Sequence, residues 1–509
     1  MKDDSKISRS GLSTASTAAH LPPRSEFVVR DAYVMSMDPK VGDLSRGDVH
    51  VRNGEIVAVG TAVAAPGVEA IDGRSMIALP GFVDTHFHLW NCFVRGVVGD
   101  GDMDYFPVMS RIGPDITPDI AYRSVRLGIT EALYSGLTTV HDWSHNLSTP
   151  AHADAEIRAL RESGIRSLFS YGYSRELQHR PDQVTDFADI ERVKTELAGD
   201  SLMTMGFAAR GPGSTPPQVY RQEIDLSRKL GLPITIHANR SIGEVKKFSR
   251  IGILNQDRLL GPDMLLIHTY NATEQERQIM ADTRTKVSVA PFTASRLASG
   301  LPYLGDLVTR GVQCSLSVDT TTVGGNVDMF GIMRLALQLN HLRSMNVLEV
   351  QPRRIVELAT LDGAKSLGIA DRVGSLTPGK RADLILIRTD DLNTAPFHDA
   401  ALLIVQSAQP HNVDTVVVDG RILKRHRQLT SVDVACPRRH RGTAKRVKAR
   451  AGQVGRARAR TSAVVHYRQR DQSRSALAAL PPRIRLRSAS DSCNCLILPT
   501  GSKSPMAMG

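Results

Sequence analysis

Two histidines separated by one residue, His86 and His88, end the apolar run GFVDTHFHLW at residues 81–90. Side chains of a strand alternate between its faces with period two, so the pair points one way. Two imidazoles side by side make a poor core and a good pair of ligands for one metal ion. Polar residues close other short runs in the same manner: His141 and Asp142 after GLTTV, Arg210 after LMTMGFAA, His237 in PITIHA, His268 in MLLIHT and Asp319 in CSLSVD. A catalytic metal keeps one position open for water and lowers that water's pKa to about 7. Neutral imidazoles suit zinc or iron, and a carboxylate alongside can carry the water's proton to a leaving group. A lone histidine at a strand end is more often a hydrogen-bonded structural residue, and His141 is expected to be one. A lone aspartate after a strand is more often a helix N-cap or turn residue, which suits Asp142. His86, His88, His237, His268 and Asp319 together read as a metal site.

The elements that must position them are legible as well. Eight strand candidates, IALPGFVDTHFH, GLTTVHDW, IRSLFSYG, LMTMGFAA, PITIHA, MLLIHT, KVSVAP and CSLSVD, alternate with stretches of helical spacing. One such stretch places Ala121, Val125, Ile129, Ala132 and Leu133 on a single face. Strand then helix, eight times over, is the pattern of an α/β fold of the (β/α)8 TIM barrel type, expected over residues 80–376. Its site lies at the C-terminal ends of the strands. Residues 27–79 and 377–433 hold short alternating strands around the turn signals Asn53-Gly54 and Asp419-Gly420. Neither flank is large enough to bury a core alone, so the two are expected to meet as one small β-sandwich beside the barrel. Residues 1–26 are polar, lack the apolar stretch of a secretory signal, and are expected to form a disordered leader.

Composition narrows the function classes. The 509 residues are 41% apolar, ordinary for a globular protein, and no run of 18 apolar residues suggests a membrane span. The net charge of +12 is unevenly placed. From Pro437 onward 17 Lys and Arg stand against 2 Asp, which leaves 47 basic and 50 acidic residues in the rest. Residues 434–509 are thus expected to be a basic disordered tail, unable to bury enough surface to offset its ordering entropy. With few aromatics for base stacking, that tail does not point to nucleic acid as a partner. Five scattered cysteines, Cys92, Cys314, Cys436, Cys493 and Cys495, do not form a disulfide framework and point to a reducing, cytoplasmic setting.

PGFVDTHFH, followed by Arg95-Gly96, resembles the first-strand motif of the amidohydrolase superfamily, in particular its cytosine deaminase and triazine hydrolase (chlorohydrolase-like) branch. VDTTTVGGNVDMF from Val318 is similar to that branch's eighth-strand motif, and GSLTPGKRADLILI (374–387) to its return from barrel to sandwich. The resemblance spans about residues 27–433. It implies His86, His88, His237 and Asp319 as ligands of one divalent transition metal, zinc first and iron second. It implies Asp319 also as proton shuttle and His268 as the residue that hydrogen-bonds or polarises the substrate. Strand 4 ends at Arg210 without the lysine that bridges two metals, so a single ion is expected.

Many deaminases of this branch carry a glutamate three residues after the fifth-strand histidine, where it protonates a ring nitrogen. Here Arg240 stands at that point, and the next glutamate is Glu244. An arginine cannot serve as an acid at neutral pH, but its guanidinium can bind a carboxylate or carbonyl oxygen. Arg240, Glu244 and Arg95 are the expected substrate-binding residues. The expected activity is metal-dependent hydrolysis of a non-peptide C–N bond in a small nitrogen heterocycle or cyclic amide, with deamination as the leading form and a metal-bound hydroxide as nucleophile. The alternatives are displacement of halide or alkylamine from such a ring, and an inactive barrel acting as a binding subunit. A homo-oligomer is also expected from the resemblance.

Overall fold

The computed structural model describes residues 21–99 and 104–430. The basic tail expected over 434–509 lies outside the described residues. So does most of the leader, but residues 21–26 are placed and correct that expectation at its end. Arg24 Nε donates to the buried Asp419 carboxylate at 2.9 Å, and Ser25 N–H donates to Gly420 O at 3.0 Å.

The N-terminal flank contributes β1 (Phe27–Met35), β2 (Asp43–Arg52), β3 (Glu55–Gly60), β4 (Glu69–Asp72) and β5 (Met76–Pro80). The barrel strands follow as β6 (Phe82–Val83), β7 (Leu137–Ser144), β8 (Arg166–Tyr171), β9 (Met203–Ala209), β10 (Ile234–Ala238), β11 (Met264–His268), β12 (Lys286–Val289) and β13 (Cys314–Leu316). The C-terminal flank adds β14 (Leu384–Arg388), β15 (Val413–Val418), β16 (Arg421–Arg425) and β17 (Gln428–Leu429). The eight barrel strands are parallel and neighbour one another in chain order. Each overlaps one of the eight runs read from sequence, but the first run is split, its start Ile77–Pro80 belonging to β5 of the flank sheet and only Phe82–Val83 to the barrel. The stretch with Ala121, Val125, Ile129, Ala132 and Leu133 is the helix Pro118–Tyr134, and all five side chains are buried.

The two flanks join through β5, which pairs in parallel with β1 and antiparallel with β14, Ile385 opposite Leu79. The result is one nine-stranded sheet. Hydrogen bonds from Ile56 N–H to Lys380 O and from Ala382 N–H to Gly54 O fold it over its own core of Phe27, Val29, Val49, Ile56, Leu384 and Val417. Both turn signals form hairpins with two positive-φ residues, Asn53 and Gly54 (53° and 81°), Asp419 and Gly420 (52° and 73°). That geometry matches the twist of the strands and favours Asn-Gly and Asp-Gly.

Sheet and barrel share the passage from β5 into β6. Gly81 sits there because a β-carbon would lie 2.1 Å from the Thr138 side chain on β7. A buried bidentate pair, Arg166 to Asp383 at 2.7 and 3.0 Å, ties the start of β8 to the chain entering β14. Among the described residues no helix is long and apolar enough to cross a membrane. Cys92 and Cys314 are free and buried, and burial pushes both thiols up to about 12.

Candidate metal centre

The barrel closes between its first and last strands at the site itself. β6 is short, but the chain beyond it stays extended, and Phe87 bridges in parallel to Asp142 on one side and Asp319 on the other. His88 N–H donates to Asp319 O at 2.7 Å, Asp319 N–H to His86 O at 2.8 Å, and Phe87 N–H to His141 O at 2.9 Å. This ladder keeps the strand's alternation running past its regular end. His86 and His88 therefore face one way, their rings edge to face with centroids 4.6 Å apart.

His237 at the end of β10 and Asp319 just beyond β13 meet that pair. His86 Nε2 lies 3.2 Å from His237 Nε2 and 3.3 Å from Asp319 Oδ1, while His88 Nε2 lies 3.5 Å from the same oxygen. One donor atom from each of the four residues falls within 4.8 Å of every other. His88 Nδ1–H donates to Trp143 O at 3.1 Å, which leaves its Nε2 lone pair pointing into the cluster. Burial, reinforced by neighbouring imidazoles, holds His86 and His237 far below the usual histidine range and His88 down to about 3. Three neutral imidazoles and a carboxylate aim lone pairs at one point, and two of the nitrogens are in near contact. A divalent cation satisfies all four at once, so the donor set fits a metal.

His268 lies beside this cluster. Its Nδ1–H donates to Tyr270 Oη at 3.1 Å, and that hydroxyl donates onward to Ala290 O at 2.8 Å. The arrangement leaves the Nε2 lone pair facing Asp319 Oδ2 at 3.9 Å. Burial brings His268 down to about 3. Both His268 (φ 79°) and Asp319 (φ 63°) adopt left-handed backbone, a conformation that costs non-glycine residues about 1–3 kcal/mol. Asp84 helps hold Asp319 in that conformation, its Oδ1 accepting from Val318 N–H at 2.7 Å.

His141 is engaged at both nitrogens, Nδ1–H donating to Thr85 O at 2.6 Å and Nε2 accepting from Ser170 Oγ at 2.7 Å. Asp142 departs from the expected cap or turn. It lies inside β7, wholly buried, on the face opposite His141 and against Glu156 of the helix Pro150–Ser163. Burial and the Glu156 charge raise its carboxyl well above the usual range, and burial pushes Glu156 up to about 8.

Above the cluster opens a cavity of about 220 Å³. His88, His237, His268 and Asp319 line its floor, and Arg240 lines its wall, half-buried, with its guanidinium 4.4 Å over the Phe106 ring. The expectation that Glu244 and Arg95 reach substrate is corrected. Glu244 pairs with Arg250 at 3.0 Å and is not among the lining residues. Arg95 leaves the site at the turn ending the 3-10 segment Leu89–Val94 and pairs with Glu131 on the helix Pro118–Tyr134. Arg210 lines the cavity but is spent on the buried Glu223 at 2.7 Å and on Leu177 O at 3.1 Å. Sequence reasoning missed Trp143 and His145 on the wall, and Tyr105 and Phe106 from the helix Tyr105–Ile112. Alternation from His141 would have found the first two. The other two carry no periodic signal.

The amidohydrolase family matches this chain over residues 77–423. Similar proteins include a 5'-deoxyadenosine deaminase of Methanobrevibacter smithii, 28% identical over 430 residues that cover 80% of this chain and 94% of the relative. A 5-methylthioadenosine/S-adenosylhomocysteine deaminase of Desulforudis audaxviator is 28% identical, covering 80% and 95%. Among solved structures, a zinc-bound adenosine deaminase from Xanthomonas campestris superimposes with a TM-score of 0.76 at 23% identity, covering 85% of this chain and 100% of that one. The atrazine chlorohydrolase of Arthrobacter aurescens TC1, complexed with zinc, follows at 0.72 and 19%, covering 84% and 100%. These two likenesses speak to the fold alone. The family match runs from β5 to β16, through every strand end that supplies a donor to the cluster, and the chain belongs to the amidohydrolase family.

Proposed function

We propose that this amidohydrolase is a deaminase that replaces an amino group on a small unsaturated nitrogen heterocycle with oxygen from water, releasing ammonia. His86, His88, His237 and Asp319 would hold one divalent metal, zinc in the first place. When bound, the ion supplies the Lewis acidity that makes water nucleophilic near neutral pH. The observation that carries the reading is the division of labour at Asp319. Its Oδ1 faces His86 and His88, and its Oδ2 faces His268.

The chain's own groups complete the chemistry. Asp319 accepts one proton of the attacking water as the new C–O bond forms and the C=N π pair moves onto the ring nitrogen, from which it returns when the leaving group departs. It returns that proton to the exocyclic nitrogen, so the C–N bond breaks and neutral ammonia leaves. His268, with its Nδ1–H tied to Tyr270, presents an Nε2 lone pair that takes a hydrogen bond from the water or from the substrate amine. Trp143, packed on His237 with centroids 4.4 Å apart, gives the cavity an apolar wall beside the cluster. The deaminase names of the 28%-identical relatives favour ammonia as the leaving group.

The test is an ammonia-release screen of zinc-loaded protein across aminopurines, adenosine derivatives, aminopyrimidines, pterins and aminotriazines. Release from at least one class is expected. Turnover that yields halide or alkylamine but never ammonia would replace this reading with hydrolytic displacement. Protein that binds no metal at all would leave only an inactive barrel.

A further inference from the structure

We infer that the substrate carries a carboxylate and that Arg240 anchors it, making this residue the determinant of substrate class. The inference rests on the deaminase reading above and narrows it.

Three arginines line the cavity, and two are already committed. Arg210 is held by Glu223 and by backbone carbonyls. Arg250 donates to Arg210 O and His237 O at 3.1 and 3.0 Å and pairs with Glu244. Arg240 differs: among the described residues no carboxylate pairs with it, and its guanidinium rests on the face of Phe106. Yet its backbone is fixed with care. Asn239 is left-handed (φ 45°), turning the chain directly after β10. The Asn239 side chain accepts from Arg250 N–H at 3.0 Å. Asn271 Nδ2 donates to Arg240 O at 3.1 Å and to Ser299 O at 2.9 Å. A long cationic side chain on a backbone fixed in this way, resting on an aromatic face, is pre-organised for a partner that the described residues do not supply.

The electrostatics of the cavity point the same way. Asp319 is the only carboxyl group among the described residues lining it, and its oxygens face the imidazoles. Among the described lining residues no second carboxyl group stands ready to protonate a ring nitrogen. What the wall offers is a fixed positive charge with a fork of donors, which matches a carboxylate in two parallel hydrogen bonds. A cation there disfavours a cationic substrate, and a neutral carbonyl would take one hydrogen bond without compensating its charge, whereas a carboxylate does both.

The probes are nicotinate and nicotinamide, which share ring and size and differ in charge, titrated calorimetrically into the zinc-loaded full chain. Wild type should prefer nicotinate. Arg240→Ala should weaken nicotinate roughly 10- to 100-fold, the scale of a lost charge-assisted hydrogen bond in a partly buried site, while nicotinamide affinity and zinc content stay within about twofold. Arg240→Lys should fall between, keeping the charge without the fork. A nicotinate preference that survives Arg240→Ala would place the anion on the metal and overturn the inference. So would a wild type that binds neither probe, or binds both alike. The readout is binding, so absence of ammonia release would count against the deaminase reading while leaving this result to stand or fall by itself.

Discussion

Replacing Asp319 by asparagine separates the two tasks assigned to its carboxylate. Asparagine keeps an oxygen that can face His86 and His88, where Oδ1 now lies 3.3 and 3.5 Å from their Nε2 atoms. It puts an NH2 where Oδ2 faces His268 at 3.9 Å, and that group cannot accept a proton. A positioned acid–base group contributes about 10²–10⁴-fold, or ~2.7–5.4 kcal/mol of barrier. The upper half of that range is expected, because no other described carboxyl lines the cavity to take over. His268 is a weak substitute, since burial holds its imidazole down to about 3 and so opposes the charge it would have to carry. The assay is steady-state ammonia release at saturating zinc, with bound metal measured by elemental analysis and folding by circular dichroism. Turnover within tenfold of wild type, with metal retained, would refute the assignment of Asp319 as proton carrier.

Removing a ligand should act earlier in the chain of cause. His86→Ala and His237→Ala should each strip most of the metal under dialysis, and full occupancy in the double variant His86→Ala, His88→Ala would sink the ligand set. The Asp142–Glu156 pair should make stability fall with rising pH. Glu156 in the folded chain keeps its proton to about 8, whereas the unfolded chain releases it near 4.5, so the stabilisation is full below 4.5 and is lost as pH rises through 8. Glu156→Gln should therefore lower the drop in urea midpoint between pH 5.5 and 8.5, and an unchanged drop would show that the pair does not titrate as described. Asp383→Asn should destabilise the protein by about 3 kcal/mol, the low end for a broken buried pair, because Asp419 still stands 3.9 Å from Arg166. A thermal midpoint equal to wild type would mean that sheet and barrel are not joined through that pair.

The barrel was open to sequence reasoning because its strands are buried on both faces and so read as short β-branched runs, each followed by a helical period. Helix Pro118–Tyr134 announced itself through one apolar stripe, and the flank hairpins through Asn-Gly and Asp-Gly. What could not be read was pairing between distant segments. Nothing in MIALP or LILIR says that β5 and β14 lie side by side, or that β4 runs parallel to β1. Those contacts are selected by shape and burial across hundreds of residues, and local propensity carries no trace of them.

The site shows the same division at finer scale. His86, His88, His237, His268 and Asp319 were legible because a parallel barrel delivers every strand end to one mouth, so position along the strand stands in for position in space. Arg95 and Glu244 lie beyond the strand ends, where that equivalence fails. Arg95 follows a turn and is drawn to Glu131; Glu244, in the short helix Ile242–Val245, is drawn to Arg250. Alternation still held through β7 and one residue beyond it, and it assigns His141, Trp143 and His145 to the barrel interior and Asp142 to the helix side. Reading Asp142 as a cap ignored that rule. A carboxyl in the middle of a buried strand needs a partner that shares its proton, and Glu156, the seventh residue of the following helix, meets that need. The left-handed backbone at His268 and Asp319 is only weakly signalled by residue type, since Asp and His adopt it more often than most residues but far less readily than glycine. At Asp319 it persists because the ladder through Phe87 and the Asp84 bond to Val318 outweigh its local cost; after His268 the chain is held by Thr269 N–H donating to Ala238 O at 3.0 Å, and strain thus sits in the two residues whose side chains must meet across the mouth.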